Sequence, residues 1–356
     1  MSSQPLRTRP DACAEPLCTV YDTALLDLDG VVYVGGAPVE HAVGALAAAR
    51  TNGMRLAYVT NNASRPAAAV AERLTAMGVP AAPADVVTSA QAVARLVAEE
   101  VPPGARVLVV GGEGLYGPLR ERGLVVVESA DDDPAAVVQG YGGPGMPWGR
   151  LDEAAFAVQR GVPWFASNAD LTLPSPRGAA PGNGAALAVV RLVTGAEPRV
   201  AGKPEPPMHR ETIIRTGARR PLVVGDRLDT DIEGAYNGGV DALLVLTGVT
   251  RAAELLAAPP RHRPAYVAAD LRGLSAGQPE VAVSALSGGA GGAGGDVTAR
   301  CGGWTASTGG TDPELRLDGA GQPLDGLRAL CAAAWTYAGE GACGLDAGKA
   351  LVRLGL

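Results

Sequence analysis

Leu25-Leu26-Asp27-Leu28-Asp29-Gly30 closes an apolar run that opens at Thr23. A run this dense fits a strand buried on both faces, where a carboxylate is costly unless it emerges at the strand's carboxyl end. In an open parallel sheet that end is where ligands bind. Residues i and i+2 of a strand face the same way, so Asp27 and Asp29 can converge on one atom, and Gly30 lets the backbone turn away. Taken alone, the same residues also fit an Asp-Gly turn that merely ends a buried strand.

Around this stretch, short β-branched runs alternate with Ala-rich helical segments, the pattern of a parallel sheet wrapped by helices. Strands are predicted at Thr23–Asp27, Leu56–Thr60, Val86–Thr88, Leu222–Gly225 and Ala242–Leu246, and helices near Glu40–Asn52, Pro66–Met77, Ser89–Glu99, Met208–Thr216 and Asp231–Asn237. Between the two halves lies a second α/β series. The expected fold is therefore α/β: a doubly wound parallel-sheet, Rossmann-like core with an inserted α/β cap domain and a small C-terminal α+β appendage. The expected boundaries are an N-terminal tail at 1–19, the core at 20–100 and 196–275, and the cap at 101–195. A Gly/Ser-rich linker follows at 276–296 and a C-terminal module at 297–356. That module offers a strand at Val297–Ala306, another at Glu314–Leu317 and a helix at Asp325–Tyr337, too little for a core of its own. It is expected to pack on the main body or on another subunit, with Trp304 and Trp335 as core anchors.

Composition narrows the function. The chain has 356 residues, enough for about two domains. Thirty basic against 37 acidic residues give a net charge of −7, which argues against an electrostatic grip on nucleic acid or an anionic membrane. No segment offers the roughly 18 uninterrupted apolar residues of a spanning helix, and the first residues lack an apolar signal core, so a cytoplasmic address is expected. Five cysteines and three histidines, scattered, form neither a disulfide framework nor a zinc pattern. Lysine occurs only at Lys203 and Lys349, every other basic residue being arginine.

Three further features weigh on the Asp27–Gly30 turn. Tyr58-Val59-Thr60-Asn61-Asn62 ends a second buried strand in a hydroxyl and two amides, groups suited to phosphoryl oxygens. Gly202-Lys203-Pro204 sets one of the two lysines in a stiff turn, and a compact ammonium suits a point charge on phosphate. Val223-Val224-Gly225-Asp226 is a third buried strand opening into an acidic loop with Asp229 and Asp231. Asp231 fits a helix N-cap, whereas Asp226 at the strand end has no such role. Asp226 with Asp27 supplies the few hard oxygens that Mg²⁺ takes while retaining waters.

Together these residues resemble the four motifs of the haloacid dehalogenase superfamily, in order: Asp27-Leu28-Asp29-Gly30, Thr60, Lys203, and Gly225-Asp226 with Asp231. The insertion after the third strand, with Thr60-Asn61-Asn62, Ser167-Asn168-Ala169-Asp170 and Pro181-Gly182-Asn183-Gly184, is similar to the branch of NagD-type, phosphoglycolate and pyridoxal phosphatases. The Gly-rich linker and appendage further resemble actinobacterial glycerol-3-phosphate phosphatases. The resemblance implies a Mg²⁺-dependent phosphomonoesterase. Asp27 would be the nucleophile and Asp29 the acid and base, while Asp27, Asp226 and the Asp29 backbone carbonyl would hold the metal with Asp231 supporting its shell. Thr60, Asn61, Asn62 and Lys203 would cradle the phosphoryl group. Asn168, Asp170, Leu173 and Asn183 would be cap contacts to substrate, or equally capping and turn residues of the cap. A leucine at 173, where pyridoxal phosphatase-like relatives tend to carry histidine, favours a small polyol phosphate over a vitamin B6 phosphate.

The expected partner is thus a small phosphorylated metabolite, most of all glycerol 3-phosphate, with phosphoglycolate or sugar phosphates as alternatives; homodimerisation through cap or C-terminal module is left open. Two other readings remain. A phosphotransferase would pass the group to alcohols, and a ligand sensor would bind without turnover. The second draws on Gly112-Glu113-Gly114-Leu115-Tyr116-Gly117, a formal GxGxxG, but Glu128 lies nearer than the usual spacing of about 20 residues for a dinucleotide site. Arg261-His262-Arg263 reads as a solvated loop.

Overall fold

The computed structural model describes residues 6–175, 177–285, 296–309 and 314–356. Along the chain come β1 (Thr23–Leu26), β2 (Arg55–Thr60) and β3 (Val86–Thr88). The inserted segment carries β4 (Arg106–Val110), β5 (Val125–Val127), β6 (Ala136–Gln139), β7 (Trp164–Ala166), β8 (Thr172–Ser175), β9 (Gly178–Pro181) and β10 (Arg199–Val200). Then follow β11 (Pro221–Gly225), β12 (Asp241–Val245) and β13 (Tyr266–Ala268), and finally β14 (Ala282–Ala285), β15 (Val297–Cys301), β16 (Trp304–Ser307) and β17 (Arg316–Gly319). Six strands form one sheet in the order β13-β12-β11-β1-β2-β3. The chain divides into two compact units, Met1–Leu56 with Arg219–Leu356, and Ala57–Ala218, the division falling inside β2.

In the first unit every residue of β1 is buried, as the unbroken apolar run requires of a strand covered on both faces. β1 pairs in parallel with β11, Leu26 opposite Val224, and the ladder runs on through the Asp27 N–H to Val224 O at 2.8 Å. This register carries Asp27 and Asp226 out at the carboxyl ends of their strands together. After β11 the chain forms a wide turn over Leu228–Ile232 before the Glu233–Gly238 helix. Asp231 therefore sits inside that turn and does not cap the helix.

The C-terminal part of this unit is an antiparallel sheet, β14-β15-β16-β17, under the Pro323–Ala338 helix. The single strand predicted at Val297–Ala306 is two strands of a hairpin, broken at Gly302-Gly303, where Gly302 takes a φ of +55°. Trp335 is fully buried and donates its indole N–H to Leu255 O at 3.0 Å, while Arg328 reaches Val267 O at 2.7 Å and Gln278 at 2.9 Å. The appendage thus packs on the main body, as its small apolar content requires. Arg263, predicted in a solvated loop, is 2% exposed. Its guanidinium donates to the carbonyls of Ala258, Arg7, Gly339 and Gly341, and burial lowers its pKa to about 10. Four carbonyl acceptors around the guanidinium make that burial tolerable. Of the linker expected at 276–296, residues 286–295 lie outside the described residues, but 276–285 are not a linker: Gln278 is buried and pairs with Cys13, and 282–285 form β14 against β15.

The second unit holds a parallel sheet in the order β10-β7-β6-β4-β5. Alternate residues Leu108, Val110, Val137 and Trp164 meet Leu151, Ala154, Leu187 and Val190 of the Gly149–Gln159 and Asn183–Thr194 helices in one apolar cluster. The antiparallel hairpin β8–β9 follows β7. β9 is largely exposed and neither strand's sequence carries an alternating apolar pattern, so the sequence offered no signal for the hairpin. Among the described residues no helix is long and apolar enough to cross a membrane.

Candidate active site

Carboxylates of Asp27, Asp226 and Asp231 gather in the first unit, with one oxygen from each within 4.8 Å of the others. Asp27 is half-buried, and the other two are buried. Three such groups repel one another unless a cation or protons intervene, and a set of hard oxygens is what Mg²⁺ selects.

The fold fixes Asp226 with unusual closeness. The Val249 N–H donates to its Oδ2 at 2.6 Å, and the Thr250 N–H to its carbonyl at 3.1 Å. Glycines stand on either side of the carboxylate. A Cβ at Gly30 would come within 2.5 Å of Oδ2, and one at Gly248 within 1.9 Å. Gly30 also has a φ of +86°, which side chains rarely adopt, and its carbonyl accepts the Thr247 hydroxyl at 2.6 Å. The segment 247–250 is therefore part of the site, although its Thr-Gly-Val-Thr sequence carries no motif that reveals it.

Asp231 Oδ2 accepts the Arg227 N–H at 3.2 Å, so the turn that positions Asp231 is closed by its own side chain. Arg227 also chelates Asp229 at 3.0 and 2.8 Å; burial raises the Asp229 pKa, but the guanidinium outweighs it and holds the carboxyl below its usual range. Asp29 is exposed, one turn beyond the cluster, with the next N–H, of Gly30, on Tyr33 O at 2.9 Å. Its side chain stands outside the three-carboxylate group, while Asp231, expected only to support the metal shell, is within it.

A second constellation lies in the other unit. Thr60 ends β2 and is buried, its hydroxyl accepting the Asn62 N–H at 3.1 Å. Asn62 Oδ1 accepts both the N–H and hydroxyl of Ser64 at 2.8 and 2.7 Å, which folds the loop back on itself. Lys203 Nζ reaches Val59 O at 3.3 Å, one residue before Thr60. Sequence reasoning placed Thr60, Asn61, Asn62 and Lys203 in one site, and the structure brings the four into one neighbourhood.

Of the cap residues, Asn168 and Asn183 are buried. Asn168 Nδ2 donates to Asn61 O at 2.7 Å and Asn183 Nδ2 to Asn168 O at 2.7 Å. Asp170 is half-buried beside Asn61, and Leu173 lies in β8 of the hairpin. Two glycines of the formal GxGxxG have a packing role: a Cβ at Gly114 would come within 2.4 Å of Ala63 O, and one at Gly112 within 2.9 Å of Ser64 O, whereas Gly117 faces open space.

A haloacid dehalogenase-like hydrolase model matches residues 24–125, and a HAD-hydrolase-like model matches residues 200–274. A D-glycerol 3-phosphate phosphatase of Mycobacterium tuberculosis is 48% identical over 254 residues, 71% of each chain. The chain belongs to the haloacid dehalogenase-like hydrolases. Within that family, an acid sugar phosphatase of Staphylococcus saprophyticus is 36% identical over 66% of this chain and 90% of its own. The crystal structure of a glycerol phosphate phosphatase from M. tuberculosis in complex with magnesium superposes with a TM-score of 0.83 at 39% identity, covering 96% of this chain and 99% of that one. In this hydrolase the segment 301–356 also matches a GCN5-related N-acetyltransferase-like domain, a relationship the sequence reading did not find.

Proposed function

We propose that this haloacid dehalogenase-like hydrolase is a Mg²⁺-dependent phosphatase that cleaves glycerol 3-phosphate through an aspartyl-phosphate. The observation that carries the reading is the convergence of Asp27 and Asp226, at the carboxyl ends of buried strands, with Asp231 from the turn that follows, Asp27 alone of the three being half-exposed. The donor set fits Mg²⁺: all oxygen, anionic, and rigidly held by the Val249 N–H and two glycines. When bound there, the ion neutralises charge on carboxylates and phosphoryl group alike.

An Asp27 oxygen attacks phosphorus in line, forming one P–O bond as the bond to the ester oxygen breaks. Asp29 gives its proton to the leaving alkoxide. The same carboxylate then takes a proton from water, whose oxygen bonds to phosphorus as the acyl-phosphate bond breaks and Asp27 is restored. Thr60, Lys203 and the loop N–H of Asn61 hold the phosphoryl oxygens, with Asn62 shaping the loop through its bonds to Thr60 and Ser64. Residues 20–100 and 196–275 carry this chemistry, and residues 101–195 act as the cap, with Asp170 and Leu173 facing substrate on a frame built by Asn168 and Asn183. Placement in the cytoplasm follows from a small phosphorylated substrate, and exposed Phe156 and Leu192 on the cap helices support self-association there.

Glycerol 3-phosphate is favoured by the relative that is 48% identical, and sugar phosphates are a second reading favoured by the staphylococcal relatives. Phosphate release from a panel of glycerol 3-phosphate, phosphoglycolate and sugar phosphates, with Mg²⁺ and with chelator, tests the assignment. Glycerol 3-phosphate is expected to give the highest kcat/KM, and chelator is expected to abolish release. Equal rates across the sugar phosphates would establish the second reading, and binding without release would reject both.

A further inference from the structure

Asn61 was expected to offer its side chain to phosphate, yet that amide is directed elsewhere. Its Oδ1 accepts the Lys203 N–H at 2.8 Å, and its Nδ2 donates to the Lys203 carbonyl at 3.0 Å. A side-chain amide thus grips both backbone groups of one residue, as a neighbouring strand would. The approach depends on Gly202, where a Cβ would fall 2.6 Å from Asn61 Oδ1 and 2.6 Å from Ser167 O. Asn61 is itself held from several sides. Its carbonyl accepts the Ser89 hydroxyl and Asn168 Nδ2, the latter at 2.7 Å, and its Nδ2 also reaches Asp170 Oδ1 at 3.2 Å.

We infer that Asn61 is a positioning residue for Lys203 and ties its placement to the cap loop at Asn168 and Asp170. A lysine side chain has many rotamers, and fixing its backbone on both sides removes the two main-chain degrees of freedom that would otherwise swing the ammonium through several ångströms. Preorganised charge of this kind acts where negative charge develops on the transferring group, and needs no rearrangement during the reaction. The loop that grips Lys203 also carries Thr60 and Asn62, so one short segment sets the phosphate-binding groups relative to each other. Asp170 draws on the same Nδ2, so a change at the start of the β8–β9 hairpin is felt at the lysine. The inference rests on the proposed role of Lys203 at the phosphoryl group.

A double-mutant cycle on the full chain tests it, with glycerol 3-phosphate turnover and inhibition by orthovanadate as paired readouts. Asn61→Ala and Lys203→Ala are each expected to lower kcat and weaken orthovanadate by about 10- to 100-fold, and the double variant to match Lys203→Ala alone. Asn61→Ser keeps a small uncharged hydroxyl at the position without setting an anion against the Lys203 carbonyl and Asp170; it is expected to lose less, with the same non-additivity, and covers the case in which the alanine variant fails to fold. Losses that multiply in the double variants would overturn the positioning role while leaving the phosphatase intact. A Lys203→Ala enzyme with unaltered turnover and orthovanadate affinity would instead remove the reading of Lys203 on which the inference stands.

Discussion

Gly248 and Asp226 share one space: the carboxylate of Asp226 occupies the position that a side chain on residue 248 would need, with only 1.9 Å between Oδ2 and a Cβ built there. The loop after β12 therefore shapes the carboxylate proposed to hold Mg²⁺ from 22 residues downstream of it. Gly248→Ala must push Asp226 or the loop away, because the obstructing atom is a buried carboxylate already bonded to the Val249 N–H. We expect Mg²⁺ affinity, measured by calorimetry, to fall by about 10-fold or more and kcat/KM by about 100-fold, while the enzyme remains folded. Unchanged Mg²⁺ affinity would show that the loop plays no part in placing Asp226.

A second prediction concerns acid stability. Asp22, just before β1, accepts the N–H groups of Arg219 and Arg220 through Oδ2 at 3.0 and 2.9 Å and so joins the approaches to β1 and β11. Burial raises its pKa, but the backbone donors, the Thr23 side chain and the Arg220 charge together outweigh burial and hold the carboxyl below its usual 3.8. Its stabilisation is thus fully present above 3.8 and lost as pH falls through the lower folded value. Asp22→Asn is expected to cost about 1–3 kcal/mol at neutral pH by urea unfolding, with the gap to the native chain closing as pH falls below 3.8. A gap that stays constant into strong acid would contradict the assignment.

The third concerns the C-terminal module. Trp335 is fully buried against Leu255, and Arg263 ties Arg7, Gly339 and Gly341 together beneath it. The Arg263 guanidinium lies 5.9 Å from the Trp335 ring centroid. Trp335→Ala is expected to destabilise the protein by about 3–5 kcal/mol through lost burial and the cavity left behind. The melting temperature should fall accordingly, while kcat of the folded fraction stays near the native value. Loss of kcat without loss of stability would mean that the module serves catalysis directly.

The core was legible for a simple reason. Strands buried on both faces carry unbroken apolar runs, so β1, β2, β3, β11 and β12 were placed within a residue of their ends. The carboxylates stood out because Asp27 and Asp226 interrupt such runs where burial of charge needs a purpose. What stayed hidden depended on distant pairings. The β8–β9 hairpin lacks apolar alternation in its sequence, and nothing in Thr247-Gly248-Val249 tells that Asp226 will lie against it. Arg263 resembled a solvated arginine because the carbonyls that hold it come from both ends of the chain. Asn61 was recognised as a site residue, but its side chain's preference for Lys203 over phosphate required the tertiary contact to be seen.

The nucleophile is the claim on which the account turns, and phosphate release from glycerol 3-phosphate with saturating Mg²⁺, comparing the native chain with Asp27→Asn, addresses it most directly. The native enzyme should turn over, and the variant, isosteric but unable to form the acyl-phosphate, should lose at least about 1,000-fold in kcat while its melting temperature is preserved. Turnover by Asp27→Asn within about 10-fold of native would contradict covalent catalysis at Asp27.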